Sequence, residues 1–177
     1  MGSDGRIRSF PPIVNERSRI LILGSMPGVA SLKAFEYYGN PRNYLWRIVY
    51  GLFGDPVPDD AYEDRLKFAL EHGIALWDTI ASCERKGSLD SEIREEEPND
   101  IPGLLRRFPG IQALVCNGTQ SYSVLRRFFG SAPEVAERTV LRLPSTSPIP
   151  TRDYRGLEDR LAAWRRELAP LLPSPQR

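Results

Sequence analysis

The sequence predicts an α/β protein with three layers, α/β/α, around a central, mostly parallel four-stranded sheet, and two observations carry that expectation. Short apolar segments that stop at glycine or polar turns alternate along the chain with longer segments whose apolar residues recur at helical spacing. The short segments lack the in-out alternation of half-solvated strands, as expected of strands covered on both faces by helices. In such a sheet, ligands bind beyond the C-terminal ends of the strands.

The elements follow in order. After a polar start, "RILILGSMPG" reads as a buried strand running into a Gly/Pro turn. "NYLWRIVYGLFG" sets Leu45, Ile48, Val49 and Leu52 at helical spacing and stops at glycine. "DDAYEDRLKFALEHG" predicts a second helix with an Asp cap and a His-Gly end, and "IALWDTI" a second strand. The charged stretch from Ser82 to Asn99 has no period apart from "SLDSEI" and is expected to leave the sheet as a long loop with one helical turn. "DIPGLLRRFPG" is a short helix with Pro near its start, and "IQALVCNG" a third strand. "TQSYSVLRRFFG" resumes helical spacing, "RTVLRLPSTSP" supplies a fourth strand and its loop, and "DYRGLEDRLAAWRRELAPLL" a final helix. The tail after Pro170 is expected to fray.

Length and composition narrow the possible functions. A chain of 177 residues is expected to form one domain over 1–177, removing roughly 70% of its unfolded surface from water. Its 24 basic and 23 acidic residues nearly cancel, so any contact with nucleic acid must come from local patches and loops. Two cysteines, Cys83 and Cys116, are too few for a disulfide framework or a zinc site and fit a reducing, cytoplasmic setting. No apolar run approaches the ~20 residues that cross a bilayer, and no membrane association is expected. The single histidine, His72, argues against a hydrolase triad and a multi-histidine metal centre, and its place in "EHG" suits a helix C-terminus.

Three segments would meet at the C-terminal edge of the predicted sheet: "GSMPG" at 24–28 with "EYYGNPRNYLW" after it, "LWDT" at 76–79, and "LPSTSP" at 143–148. Glycines at both ends of the first turn let backbone approach a ligand and present N–H groups to negative charge. "YYGNPRNYLW" adds two aromatics that can stack on a base and two carboxamides, Asn40 and Asn43, that can orient a water. The plainer alternatives are that Asn43 caps the following helix, Pro41 stiffens its start and the tyrosines pack. Asp78 either contacts a ligand or caps the next turn, and Asn117 before Gly118 suits a tight turn as well as a ligand contact. Arg85, Lys86 and Arg152 are candidate phosphate contacts or merely solvated charges.

"GSMPG", "YYGNPRNYLW" and "LPSTSP", in that order and spacing, resemble the signature motifs of the uracil-DNA glycosylase superfamily, and most of all its hypoxanthine-DNA (deoxyinosine) glycosylase branch; the likeness runs from Ile20 to about Ile149. The resemblance implies a metal-free and cofactor-free hydrolysis of the N-glycosidic bond of a deaminated base, hypoxanthine before uracil, in DNA, by a monomer that flips the base out. Met26 occupies the position where other branches carry an Asp or Asn, and a thioether neither activates nor orients water. The resemblance therefore places the water-handling residue in "YGNPRN", at Asn40 with Asn43 nearby. It puts Tyr38 on the extruded base, Asp78 near the base-discriminating amide of the family, and Leu143 where classical uracil enzymes have histidine. Ser25, Met26 and Gly28 would line the base, with backbone N–H groups from Ser25 to Gly28 stabilising the leaving anion. Pro144, Ser145, Thr146 and Ser147 would approach the DNA, joined by Arg85 and Lys86. A uracil or mismatched-thymine glycosylase, a non-catalytic nucleic-acid-binding module and a hydrolase of free nucleosides remain as alternatives.

Overall fold

The structure, a computed structural model, describes residues 5–173. Its elements are β1 (Ile7–Arg8), β2 (Ile20–Gly24), α1 (Val29–Ala34), α2 (Leu45–Leu52), α3 (Tyr62–Glu71), β3 (Ile74–Asp78), β4 (Ile80–Glu84), β5 (Arg94–Pro98), α4 (Ile101–Arg107), β6 (Ala113–Asn117), α5 (Thr119–Phe129), α6 (Pro133–Ala136), β7 (Thr139–Leu143) and α7 (Leu157–Leu168). Short 3-10 turns lie at Asp90–Glu92 and Ala169–Leu171. The end of the tail predicted to fray, 174–177, lies outside the described residues.

The main sheet has the order β3-β2-β6-β7 and is parallel throughout. Its strands alternate between two cores. Ile20, Ile22, Ile74, Leu76, Ala113 and Val115 pack on one face with residues of α2, α3 and α7. Leu21, Leu23, Ala75, Leu114 and Cys116 pack on the other with residues of α4, α5 and α6. Both cores need apolar residues at successive positions of β2, β3 and β6, which is why those strands read as apolar runs. The predicted three-layer α/β/α architecture is the one observed.

One stretch departs from the prediction. The segment from Ser82 to Asn99 is not a long loop: β4 and β5 pair antiparallel, and with β1 they form a second sheet of order β1-β4-β5. Thr79 makes the corner. Its N–H donates to the Gly24 carbonyl at 2.8 Å and the Ile80 N–H to that of Ser25 at 3.1 Å, so the chain leaves the parallel sheet directly at the end of β3. The one predicted helical turn within the stretch is the 3-10 turn at Asp90–Glu92. The Asp cap expected on α3 is also absent: Ala61 occupies the cap position without a side-chain bond, and Asp59 instead accepts from the Tyr50 hydroxyl at 2.6 Å. His72 does end α3, with its ring stacked 4.0 Å from that of Phe68. No described helix is long and apolar enough to cross a membrane.

Candidate active site

Strands β2, β3, β6 and β7 end at Gly24, Asp78, Asn117 and Leu143, and parallel register brings these four residues to one edge of the sheet. Above that edge lies a cleft of about 880 Å³ whose lining includes residues 24–31, Tyr38, Asn40, Asn43, Asp78, residues 88–91, Asn117 and residues 142–149. The three segments singled out in the sequence therefore meet, as expected of strand ends in a parallel sheet.

The 24–28 turn forms one wall. Met26 is 7% exposed and packs with Ile80, Cys83, Ile93 and Val124, so its thioether anchors the second sheet as well as bordering the cleft. The Ser25 hydroxyl donates to Asp90 at 2.8 Å, and the Val29 N–H donates to Ser88 Oγ at 2.8 Å. The N–H groups of Ser25, Met26 and Gly28 have no acceptor among the described residues. Arg85 holds the turn from behind: its guanidinium donates to the carbonyls of Gly87 at 2.8 Å and Pro27 at 2.6 Å, while its third nitrogen is buried without a partner. Lys86 is exposed and does not line the cleft.

Tyr38 adopts a left-handed backbone conformation, φ 54°, uncommon for a residue with a β-carbon. Its hydroxyl accepts from Asn117 Nδ2 at 3.3 Å, and burial with the charge of Asp78 nearby pushes the phenol well above its ordinary range. Asn117 also donates to Thr146 Oγ1 at 2.9 Å and accepts from the Thr146 N–H at 2.9 Å. Thr146 Oγ1 in turn donates to Asn43 Oδ1 at 2.8 Å, and the Leu45 N–H donates to the same oxygen at 2.9 Å. The two bonds occupy both lone pairs of the Asn43 carboxamide oxygen and leave only its Nδ2 open. Asn43 thus bonds the first turn of α2 from the position before the cap residue Tyr44. Asn40 is exposed, and its Oδ1 accepts one bond, from the Arg42 N–H at 3.0 Å, which leaves an acceptor position free.

Asp78 is 4% exposed, and its Oδ2 is buried without a hydrogen-bond partner. Burial, and then the neighbouring charge of Asp90, push its carboxyl up to about 7, against a smaller opposing effect of Arg85. Its backbone is fixed by Asn99, whose Nδ2 donates to the Asp78 carbonyl at 2.7 Å.

The 143–149 loop is bound from inside. The carbonyl of Pro144 accepts from Trp164 Nε1 at 3.0 Å, that of Ser145 from Arg160 Nε at 2.8 Å, and that of Thr146 from the Tyr44 N–H at 2.9 Å. Arg160 is 1% exposed and also donates to the carbonyls of Gly156 at 2.8 Å and Ile149 at 2.9 Å. No carboxylate pairs with it among the described residues. Pro144, Ser145 and Ser147 remain at the cleft surface, Thr146 is 1% exposed, and Leu143 is buried beneath. Arg152 is exposed nearby.

The structure thus gathers Ser25, Met26, Gly28, Tyr38, Asn40, Asn43, Asp78 and residues 144–147 around one chamber and leaves Arg85 and Lys86 outside its lining. Sequence reasoning missed Ser88, Asp90 and Arg160. The first two lie in the stretch taken for a loop. Arg160 carried a legible signal, since it sits on the helical stripe of Leu157, Leu161, Trp164 and Leu168, where a solvated arginine does not belong.

Comparison with known proteins agrees with this geometry. Residues 11–168 match the Uracil DNA glycosylase superfamily. A protein of Methanosarcina acetivorans named hypoxanthine DNA glycosylase is 39% identical over 153 residues, 85% of this chain and 92% of its own. One of the same name from Methanosarcina barkeri is 34% identical over 159 residues, 89% and 94% of the two chains. The solution NMR structure of a candidate uracil DNA glycosylase from Methanosarcina acetivorans superposes with a TM-score of 0.73 at 36% identity, over 91% of this chain and 95% of that one.

Proposed function

The chain belongs to the uracil DNA glycosylase superfamily, and we propose from that premise that it is a DNA glycosylase releasing hypoxanthine from deoxyinosine in DNA. The observation that carries the reading is the set of open hydrogen-bonding groups around the cleft: the N–H groups of Ser25, Met26 and Gly28, the Asp78 carboxyl and the acceptor position left on Asn40. The two relatives named hypoxanthine DNA glycosylase support the choice of base.

In the proposed reaction the nucleotide swings out of the duplex into the cleft, at a cost of a few kcal/mol that is least at a mispair. Tyr38, fixed through Asn117, offers its ring to the base. The bond between N9 and C1′ breaks with its electron pair going to the base, and the sugar becomes oxocarbenium-like. N–H groups of the 24–28 turn stabilise the departing anion, as fixed dipoles do best in a water-poor site. A water held by Asn40 Oδ1 adds to C1′ and gives up a proton, and the base takes one up, leaving free hypoxanthine and an abasic deoxyribose. Asn43 cannot hold that water through its oxygen, which Thr146 and Leu45 occupy, and so acts as a positioning residue with one open donor. Ser145 and Ser147, on a loop clamped by Arg160, meet the DNA backbone.

The test is chemical identification of the product from a duplex carrying one deoxyinosine, in excess chelator. Free hypoxanthine with an alkali-labile abasic strand supports the proposal. DNA binding without release of any base would overturn it.

A further inference from the structure

We propose that Arg85 is a positioning residue for the reaction: bound to the Pro27 carbonyl, it aims the Gly28 N–H at the departing base and strengthens it as a donor, and it makes no contact with DNA. This rests on the reading above that the 24–28 turn stabilises a leaving base.

In a trans peptide the C=O and the N–H point in opposite directions, so tying one aims the other. Each N–H of the turn that has no acceptor belongs to a peptide whose carbonyl is tied. The Gly24 carbonyl accepts from the Thr79 N–H at 2.8 Å and the Thr79 hydroxyl at 3.2 Å, which turns the Ser25 N–H away from Thr79. The Ser25 carbonyl accepts from the Ile80 N–H at 3.1 Å, which turns the Met26 N–H away from β4. The Pro27 carbonyl accepts from Arg85 Nη2 at 2.6 Å, which turns the Gly28 N–H away from Arg85. Ser25, Met26 and Gly28 all line the cleft, and Arg85 does not. Pro27 has no N–H to offer, so Gly28 is the last donor of the turn. All three ties come from residues 79–85, where the chain passes into the second sheet. The first two are backbone bonds that the fold itself supplies. The third is a side chain reaching across 58 residues, so the aim of Gly28 depends on one residue.

Arg85 is committed to this use. Its Nε donates to the Gly87 carbonyl at 2.8 Å, its Nη1 is buried, and no carboxylate pairs with it among the described residues. Asp90 and Asp78 act on it only through space. The Gly87 bond also fixes the segment that carries Ser88 and Asp90, which hold the Val29 N–H and the Ser25 hydroxyl. One planar fork thus bridges two carbonyls on two segments, a geometry that a single ammonium does not reproduce. The unpaired positive charge on the Pro27 carbonyl polarises that peptide and makes the Gly28 N–H a stronger donor. The gain grows along the reaction, because negative charge reaches the base only as the glycosidic bond breaks. Arg85 should therefore act on the rate of bond cleavage and leave DNA binding alone.

The test compares the wild type with Arg85→Lys and Arg85→Met. Single-turnover release from a deoxyinosine duplex, followed over a range of enzyme concentrations at low and moderate salt, separates the maximal rate from the half-saturating concentration. The maximal rate should fall about 30-fold or more in the Met variant and about tenfold in the Lys variant, which keeps the charge but loses the fork. The half-saturating concentration should stay within about twofold of the wild type, with the same salt slope. In the free proteins the Pro27 carbonyl carbon and the Gly28 amide nitrogen should both move upfield, because a hydrogen bond on a carbonyl deshields its carbon and the following nitrogen. Thermal denaturation checks that each variant is folded, and if the Met variant is not, the Lys variant decides. An unchanged maximal rate, or a Lys variant as fast as the wild type, would overturn the proposal. So would a half-saturating concentration that rises with a salt slope smaller by about 0.9, the sign of a direct phosphate contact. If the wild type releases no base, the functional reading fails instead, and the two resonances still report whether Arg85 holds the Pro27 carbonyl.

Discussion

Gly24 and Asp78 are register partners on adjacent parallel strands, and a β-carbon built on Gly24 would stand 2.5 Å from Asp78 Oδ1 and 3.0 Å from the Tyr38 hydroxyl. The absence of a side chain at Gly24 is what allows the acid and the aromatic to share one corner of the cleft. Glycine is required there for space, since no positive φ is recorded at this position.

Gly24→Ala should therefore displace Asp78 or Tyr38. Overpacking of this kind costs about 1–3 kcal/mol of stability. Base release should fall further than that loss implies, by tenfold or more as a rough expectation, because the displaced groups are those assigned to the base. Thermal denaturation alongside single-turnover rates checks both parts.

Asn40→Ala should remove the oxygen assigned to the water without touching the core, since Asn40 is exposed and, among the described residues, its side chain bonds only the Arg42 N–H. Release should drop by about 100-fold or more with DNA affinity retained. Substantial turnover in this variant would take Asn40 out of the role.

Arg160→Met should strip donors from the carbonyls of Ser145, Ile149 and Gly156 together. Bonds to a charged group contribute about 1.5–3 kcal/mol each, so a net loss of about 3 kcal/mol or more is expected in chemical denaturation. Arg160→Lys should recover only part of it, because one ammonium cannot reproduce the guanidinium fork. The Lys variant should also bind DNA more weakly, since the loosened loop carries the surface assigned to the backbone.

The Asp78 carboxyl makes stability depend on pH in a stated direction. The unfolded chain releases this proton near 3.8 and the folded chain keeps it until about 7. Between those values the unfolded state binds fewer protons, so the folded state loses stability as pH rises, by up to roughly 4 kcal/mol once Asp78 is ionised. Asp78→Asn should accordingly gain in melting temperature over the wild type as pH rises from about 4 to about 8, and level off above. A difference that shrinks over that range would contradict it.

The parallel sheet was legible because β2, β3 and β6 are buried on both faces, a condition that writes itself into sequence as apolar runs, whereas β7, at the sheet edge, keeps Thr139 and Arg142 exposed. The second sheet was not, because β5 reads "REEEP", with Arg94 and Glu95 exposed, Glu95 at φ 52°, and pairing to β4 broken by register shifts. Such a strand is defined by its partner rather than by its own pattern. Around the cleft, motif order picked out Tyr38, Asn40, Asn43 and Asp78 as residues that come together. The difference in hydrogen bonding between the two carboxamides was not legible, since it depends on Thr146, 103 residues from Asn43, occupying the oxygen of one and not of the other. Arg85, read as a phosphate contact, lies with its guanidinium turned inward on two carbonyls, a use of arginine that spacing does not reveal.

The central claim is the identity of the base, and the most direct measurement compares single-turnover release from matched duplexes bearing one deoxyinosine, deoxyxanthosine, deoxyuridine or mispaired thymidine, in chelator. The account predicts fastest release from deoxyinosine, as free hypoxanthine. Faster release of uracil or thymine than of hypoxanthine would contradict it.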